Sequence, residues 1–501
     1  MKPTRYYLFL LSFSIFVLHC AVQKVSVQEP MIITDVEVAA ELEKLWPQYH
    51  DALDTIDYPA QKSVLIKNAT VFIGNDNVLS DGFVFLKNGK IEAVGKESDN
   101  HFSAEMIISA HGKYVTPGLI DTHSHIGVYP APSAEAHNDG NEMTDPVTSE
   151  VWAEYGFWPQ DPYFMRAVNG GVTTIQILPG SANLIGGRGF TIKLLPQRSA
   201  RSMRVKGAAD ALKIACGENP KRVYGEKKTM PMTRMGNIAM QKQAFYDAIE
   251  YKNQWVSYAN DKIKYEKSLL VSKNGNTDNK EKPIPPPRNL RLETLALVLE
   301  GKILVHNHCY RADEMLQMLQ MAKEFGFHIR SFHHALEAYK IADVLEKENV
   351  AVSTWADWWG YKMEMFDGIP QSAGILQSQK VKVIIHSDSP IGAQRLNQEA
   401  AKAFYSAKRS GISLVETQPI SWITSNPAWA LGIDTITGTI ETGKSADIVI
   451  WSHHPLSVYA QAEDVFINGY LAHSNSRQSD VQKTLGMPWS DFEHGWDFLQ
   501  K

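Results

Sequence analysis

The chain has 501 residues, 44% hydrophobic and 21% charged, which is enough for a large catalytic domain and a smaller companion. Its net charge of −5 at pH 7 offers no general basic surface, so nucleic acid is excluded as an expected partner. Three cysteines provide no disulfide framework to read, and the core is expected to supply the stability.

In chain order, Lys2 and Arg5 precede an apolar run from Tyr6 to Leu18 that is too short for a comfortable membrane span. Residues 1–20 therefore read as an export signal. Cys20 follows at once, which suits a lipoprotein signal, although His19 stands where a small residue is expected. The expectation is a periplasmic protein or a lipoprotein whose membrane contact is a lipid at Cys20; an uncleaved anchor is the alternative. Residues 31–61 read as a helical extension, because Val36, Ala39, Ala40, Leu42 and Leu45 have helical spacing. From residue 62 short alternating runs begin, with a hairpin signal at Asn88-Gly89. Similar runs recur near Gly443 to Trp451 and Val465 to Tyr470. Residues 62–115 and 432–475 are therefore expected to close one small β-sandwich built from both chain ends.

Between them, residues 116–431 alternate strands with helical patterns, the signature of a parallel α/β arrangement. Candidate strands lie at 114–120, 172–178, 190–195, 211–216, 303–306, 329–332, 350–353 and 383–386. Eight such strands predict a (β/α)8 TIM-like barrel. The third is preceded by a glycine-rich stretch instead of a helix. Residues 219–290 read as an insertion after the fourth strand, either a flap over the site or a solvated excursion. A long polar helix is expected within it, and residues 476–501 read as a tail.

Barrel active sites lie at the C-terminal ends of the strands. The first strand runs into His123-Ser124-His125. In an extended strand end, residues two apart point the same way, so both imidazoles reach one point, where a metal such as zinc wants nitrogen. The fourth strand ends in Cys216-Gly217-Glu218, the fifth in His306-Asn307-His308, the sixth in His333-His334 and the eighth in His386-Ser387-Asp388. Cys216 and Cys309 lack the CxxC spacing of metal ligands and are discounted.

With these residues in view, the chain resembles the amidohydrolase superfamily over residues 62–475. The likeness rests on Pro117-Gly118-Leu119-Ile120-Asp121-Thr122-His123-Ser124-His125, His306-Asn307-His308, His334, Ser387-Asp388, and the closing segment from Gly438 to Val449. Within the superfamily it looks most like the imidazolonepropionase-like group, through Val172-Thr173-Thr174, Gly186-Gly187-Arg188-Gly189 and Gly217-Glu218-Asn219-Pro220-Lys221-Arg222. The resemblance implies a divalent metal, zinc first and iron or manganese otherwise, as one or two ions. His123, His125 and Asp388 would hold the deeper ion. His306 and His334 would bind a second ion, or the substrate oxygen if there is only one. A metal brings the pKa of bound water to about 7, and Asp388 would accept that proton and pass it to the leaving nitrogen. The bridging ligand on the fourth strand is Glu218 or a carbamylated Lys213. Glu218 is preferred because Gly217 frees the backbone to turn toward the metal; the competing reading of Glu218 is a helix N-terminal carboxylate, with Pro220 in the first turn. His308 stands where some relatives carry a glutamate proton relay. His333 reads as a supporting or core histidine, and His386 as orienting Asp388 or as core.

For substrate binding, Arg188 in its glycine run is a candidate clamp for a carboxylate, or else a surface arginine. Trp355, Trp358 and Trp359 are candidates for an apolar pocket wall, or else packing. The expected protein is an exported metal-dependent hydrolase that cleaves a C–N bond in an amide or cyclic amide of a small molecule. A dipeptidase, a deaminase, and a metal-holding binding protein without turnover are the alternatives. Homo-oligomer formation is left open.

Overall fold

The computed structural model describes residues 36–46, 51–52, 55–56, 58–59, 62–130, 133, 135–272, 281–358 and 360–485. The expected export signal, Cys20, Trp359 and the end of the tail lie outside them. Among the described residues, no helix is long and apolar enough to cross a membrane.

The first candidate strand divides in two. Tyr114–Pro117 joins the smaller sheet, and β1 (Leu119–Ser124) enters the barrel. Gly118 stands between them. A Cβ there would lie 2.2 Å from Thr173 Oγ1, so only glycine lets the two sheets meet this closely. The barrel continues with β2 (Val172–Ile177), β3 (Ile185–Lys193), β4 (Ala211–Ala215), β5 (Leu304–Cys309), β6 (Ile329–His334), β7 (Ala351–Thr354) and β8 (Val383–Ile385), hydrogen-bonded in that order. Asp388 N donates to His123 O at 3.0 Å, and the Asp121 carboxylate accepts from Ser387 N at 3.1 Å and from the Ser387 hydroxyl. These contacts draw β8 toward β1 and nearly close the barrel.

The expectation of eight parallel strands fails at β3, which is antiparallel to both β2 and β4. Residues 178–184 are too few for a crossover, which takes a dozen or more. The glycine-rich stretch is instead the first half of a long, wholly buried strand.

The smaller domain is one eight-stranded sheet. Five strands come from before the barrel, Val64–Phe72 to Tyr114–Pro117, and three from after it, Ile448–Trp451, Ala462–Ile467 and Tyr470–Ser474. Ile448–Trp451 pairs antiparallel with Tyr114–Pro117 and joins the two contributions. Ile66, Val71, Val84, Ile91, Val115, Ile448 and Phe466 share one core, so the sheet folds on itself as a sandwich. A buried ion pair between Lys193 and Asp447 fastens the sandwich to β3, and Thr437 Oγ1 donates to the same carboxylate at 2.6 Å.

Among its described residues, the insertion is packed as helices. It contains α2, a helix at Glu218–Glu226, and α3, a 39-residue helix at Arg234–Ser272. α3 packs along Leu290–Leu299 and the N-terminal helix α1 (Val36–Leu45), burying Phe245, Ile249, Tyr251, Trp255 and Val256. Its first turns are tied to the end of β4: Gln241 Nε2 donates to Ala215 O at 2.9 Å, and Asn237 Nδ2 to Gly217 O at 3.0 Å. A disulfide joins Cys216 to Cys309 across the ends of β4 and β5, closing a 93-residue separation that the cysteine count alone did not reveal.

Candidate active site

At the mouth of the barrel, His123 Nε2 and His125 Nε2 stand 3.3 Å apart. Asp388 Oδ1 lies 3.6 Å from the first and 3.2 Å from the second. The other ring nitrogens set the tautomers. His125 Nδ1 lies 2.7 Å from the Leu178 carbonyl, which only accepts, so this nitrogen donates and Nε2 presents a lone pair. His123 Nδ1 meets His333 Nδ1 at 2.8 Å, and His333 Nε2 meets His306 Nδ1 at 2.9 Å. A proton on His123 Nδ1 and another on His333 Nε2 satisfy this chain and leave the His123 Nε2 lone pair facing the centre.

Two lone pairs and a carboxylate oxygen converging within hydrogen-bond distance repel one another unless a cation lies between them. Nitrogen and carboxylate oxygen are the donors that a borderline divalent metal takes, so the residues present fit a metal. Burial keeps the imidazoles in the neutral, ligating form. It drives His123, His308, His333 and His334 well below the ordinary histidine range, His386 to about 4 and His306 to about 3. Asp388 and His334 both adopt positive φ, 48° and 68°, so each strand end turns sharply where its side chain enters the mouth.

Three expectations are corrected here. Gly217 does turn the chain, with φ 85°, but it turns it into α2. Glu218 becomes the first helical residue, 3.7 Å from Lys362 Nζ, and belongs to neither of the histidine–carboxylate groups found among the described residues. Lys213 stands at the centre instead. It is buried to 1% exposure, with Nζ 3.2 Å from His123 Nε2 and 3.2 Å from the Pro179 carbonyl, and burial pushes its ammonium down to about 8. On β5 the two histidines differ in their partners. His306 lies deeper, with Nδ1 2.9 Å from His333 Nε2 and Nε2 3.4 Å from the Gln176 side-chain amide. His308 is buried with both ring nitrogens unpartnered, edge-on to His334 with ring centres 4.6 Å apart. Neither His306 nor His308 belongs to the histidine–carboxylate groups found among the described residues. Arg188 does not reach the mouth. It pairs with Leu212 across the β3–β4 ladder, on the side opposite Lys213, and its guanidinium meets Thr294 Oγ1 at 2.9 Å, Asp210 at 3.4 Å and the face of Trp152 at 4.2 Å.

His334 and Trp355 are brought into the site. Trp355 stacks on His334 with ring centres 4.3 Å apart, and Trp358 stacks on Trp355 at 5.4 Å. His386 touches His334, Nε2 to Nδ1 at 3.1 Å, and forms a second ligand-like group with His123 and His334. Sequence reasoning missed Tyr310, which lies parallel to His334 at 5.1 Å, and Lys362, whose ammonium sits 4.1 Å from the Tyr310 ring centre.

A crystal structure of an amidohydrolase from Thermotoga maritima MSB8 matches over 82% of this chain and 100% of its own, with a TM-score of 0.68 and 35% identity. The chain belongs to the amidohydrolase family. The model of that family matches residues 303–472. Amidohydrolase tasK of Hapsidospora irregularis is 35% identical over 412 residues, 77% of this chain and 39% of that protein. A 5-methylthioadenosine/S-adenosylhomocysteine deaminase of Acetivibrio thermocellus is 40% identical over 70 residues, 16% of its length. The chain thus spans about two fifths of the first of these curated relatives and a sixth of the second. That family is one of hydrolytic enzymes that act on C–N bonds and typically bind a divalent metal.

Proposed function

We propose that this amidohydrolase opens an amide or cyclic amide, with Asp388 as the proton shuttle, and that it works outside the cytoplasm. The convergence of His123 Nε2, His125 Nε2 and Asp388 Oδ1 at the open end of a buried cluster carries the reading. The metal, zinc first, would be held by His123, His125 and Asp388, with His308, His334 and Lys213 as the further donors. A divalent cation there supplies Lewis acidity to the scissile carbonyl and to the attacking water. Lys213 joins the donor set once its neutral amine adds carbon dioxide, forming an N–C bond and releasing one proton; burial of the amine favours the neutral form this needs. Asp388, at 23% side-chain exposure, is reachable from solvent and accepts the proton of the attacking water. It then returns that proton to the departing nitrogen. Trp355 holds the imidazole of His334 in place by stacking.

The disulfide supports export, because such bonds persist in oxidising compartments. Export in turn favours dipeptides, which an external enzyme meets, as the first substrates to try. The test is hydrolysis of a panel of dipeptides, hydantoins and lactams by zinc-, iron- and manganese-loaded enzyme, with ammonia release from aminated rings measured alongside. Cleavage of an amide is expected. Ammonia release alone would transfer the reading to a deaminase, and binding without turnover to a metal-holding protein.

A further inference from the structure

Lys362 is a cation at the barrel mouth that the metal cluster does not use. It lies in the segment after β7, seven residues beyond Trp355. Its ammonium stands 4.1 Å from the Tyr310 ring centre, 3.1 Å from Asn219 Oδ1 and 3.7 Å from Glu218 Oε1. Tyr310 lies parallel to His334 at 5.1 Å and edge-on to His308 at 4.8 Å, so Lys362 is one ring away from two of the candidate ligands. Only 15% of its side chain is exposed. A largely buried ammonium needs close carboxylate partners to offset its desolvation. Here the nearest carboxylate is beyond hydrogen-bond distance and the nearest acceptor is a neutral amide. Burial accordingly pushes the lysine below its usual range.

We propose that Lys362 anchors a free carboxylate of the substrate, so that the enzyme prefers amides carrying a carboxylate near the scissile C–N bond. Glu218 is the resting counter-ion that the substrate carboxylate displaces. This specificity rests on the amide-hydrolase reading above. It assigns to Lys362 the role that the sequence suggested for Arg188, which faces the other side of the barrel wall.

The test uses calorimetric binding of N-benzoylglycine and N-benzoylglycinamide to the zinc-loaded full chain, with turnover of both measured in parallel. The wild type is expected to bind the carboxylate at least about tenfold more tightly than the amide, as one charge-assisted contact allows. Lys362→Met should bring the two affinities to within about threefold, Lys362→Arg should keep most of the difference, and Glu218→Gln should widen it, since it removes the competing carboxylate. If Lys362→Met fails to fold, the Arg and Gln variants decide. A preference that survives Lys362→Met, narrows in Glu218→Gln, or is absent from the wild type overturns the assignment. A binding preference without turnover of either probe leaves the anchor standing and counts against the amide-hydrolase reading.

Discussion

Two groups of buried polar side chains occupy opposite sides of the barrel wall, and they behave differently. On the inner side, His123, His125, His308, Lys213 and Asp388 crowd together with lone pairs facing one another and the His308 nitrogens unpartnered. On the outer side, Arg188, Arg201, Arg204, Asp210 and Glu154 form an alternating network: Arg204 meets Glu154 at 2.6 Å, Arg201 meets it at 2.7 Å, and Asp210 accepts from both Arg188 and Arg204. The outer group is complete as it stands. The inner group makes electrostatic sense only with something added. Convergence of unsatisfied donors, not burial or charge as such, separates a site from a brace.

This contrast can be broken by experiment. Asp388→Asn removes the proposed proton shuttle while keeping the size of the side chain. Hydrolysis should fall about a thousandfold while the circular dichroism spectrum stays the same; retention of a tenth of the activity would remove Asp388 from the mechanism. Arg188→Met should act in the opposite way. It leaves Asp210 short of one buried partner and should cost about 3 kcal/mol in denaturant unfolding, with an unchanged KM in the folded fraction. A raised KM at unchanged stability would restore the clamp reading. Replacing both Cys216 and Cys309 by Ser should cost about 2–4 kcal/mol, because the bond closes a long loop. Equal stability of the two proteins would mean that the cross-link does not form. The finest effect concerns the fourth strand. Lys213→Ala should lower bound metal measured by elemental analysis, and carbon-13 bicarbonate should label the wild-type lysine as a carbamate, whereas Glu218→Gln should leave metal content unchanged. The reverse pattern would return the ligand role to Glu218.

Much of the site was legible because strand ends and ligand-type residues coincide in the chain. His123-Ser124-His125 and His386-Ser387-Asp388 follow short apolar runs, and alternation along an extended segment turns residues i and i+2 to one side. The same rule could not choose between His306 and His308, which share a face at different depths. Nor could it see that Lys213, two residues short of the end of β4, has a side chain long enough to reach His123.

The chain by itself determined the alternating strand–helix plan, the sandwich contributed by both ends, and the residue types of the histidine–aspartate cluster, because local periodicity and the chemistry of histidine and aspartate are properties of short segments. Only the tertiary structure decided that β3 runs antiparallel, that Gly217 leads into a helix and carries Glu218 away, and that Cys216 meets Cys309. It also placed Arg188 on the outer side of the wall and Lys362 at the mouth. The physical reason is shared: which partner satisfies a charge, a thiol or a backbone group depends on what packing brings beside it, and packing joins residues from about 20 to more than 100 positions apart.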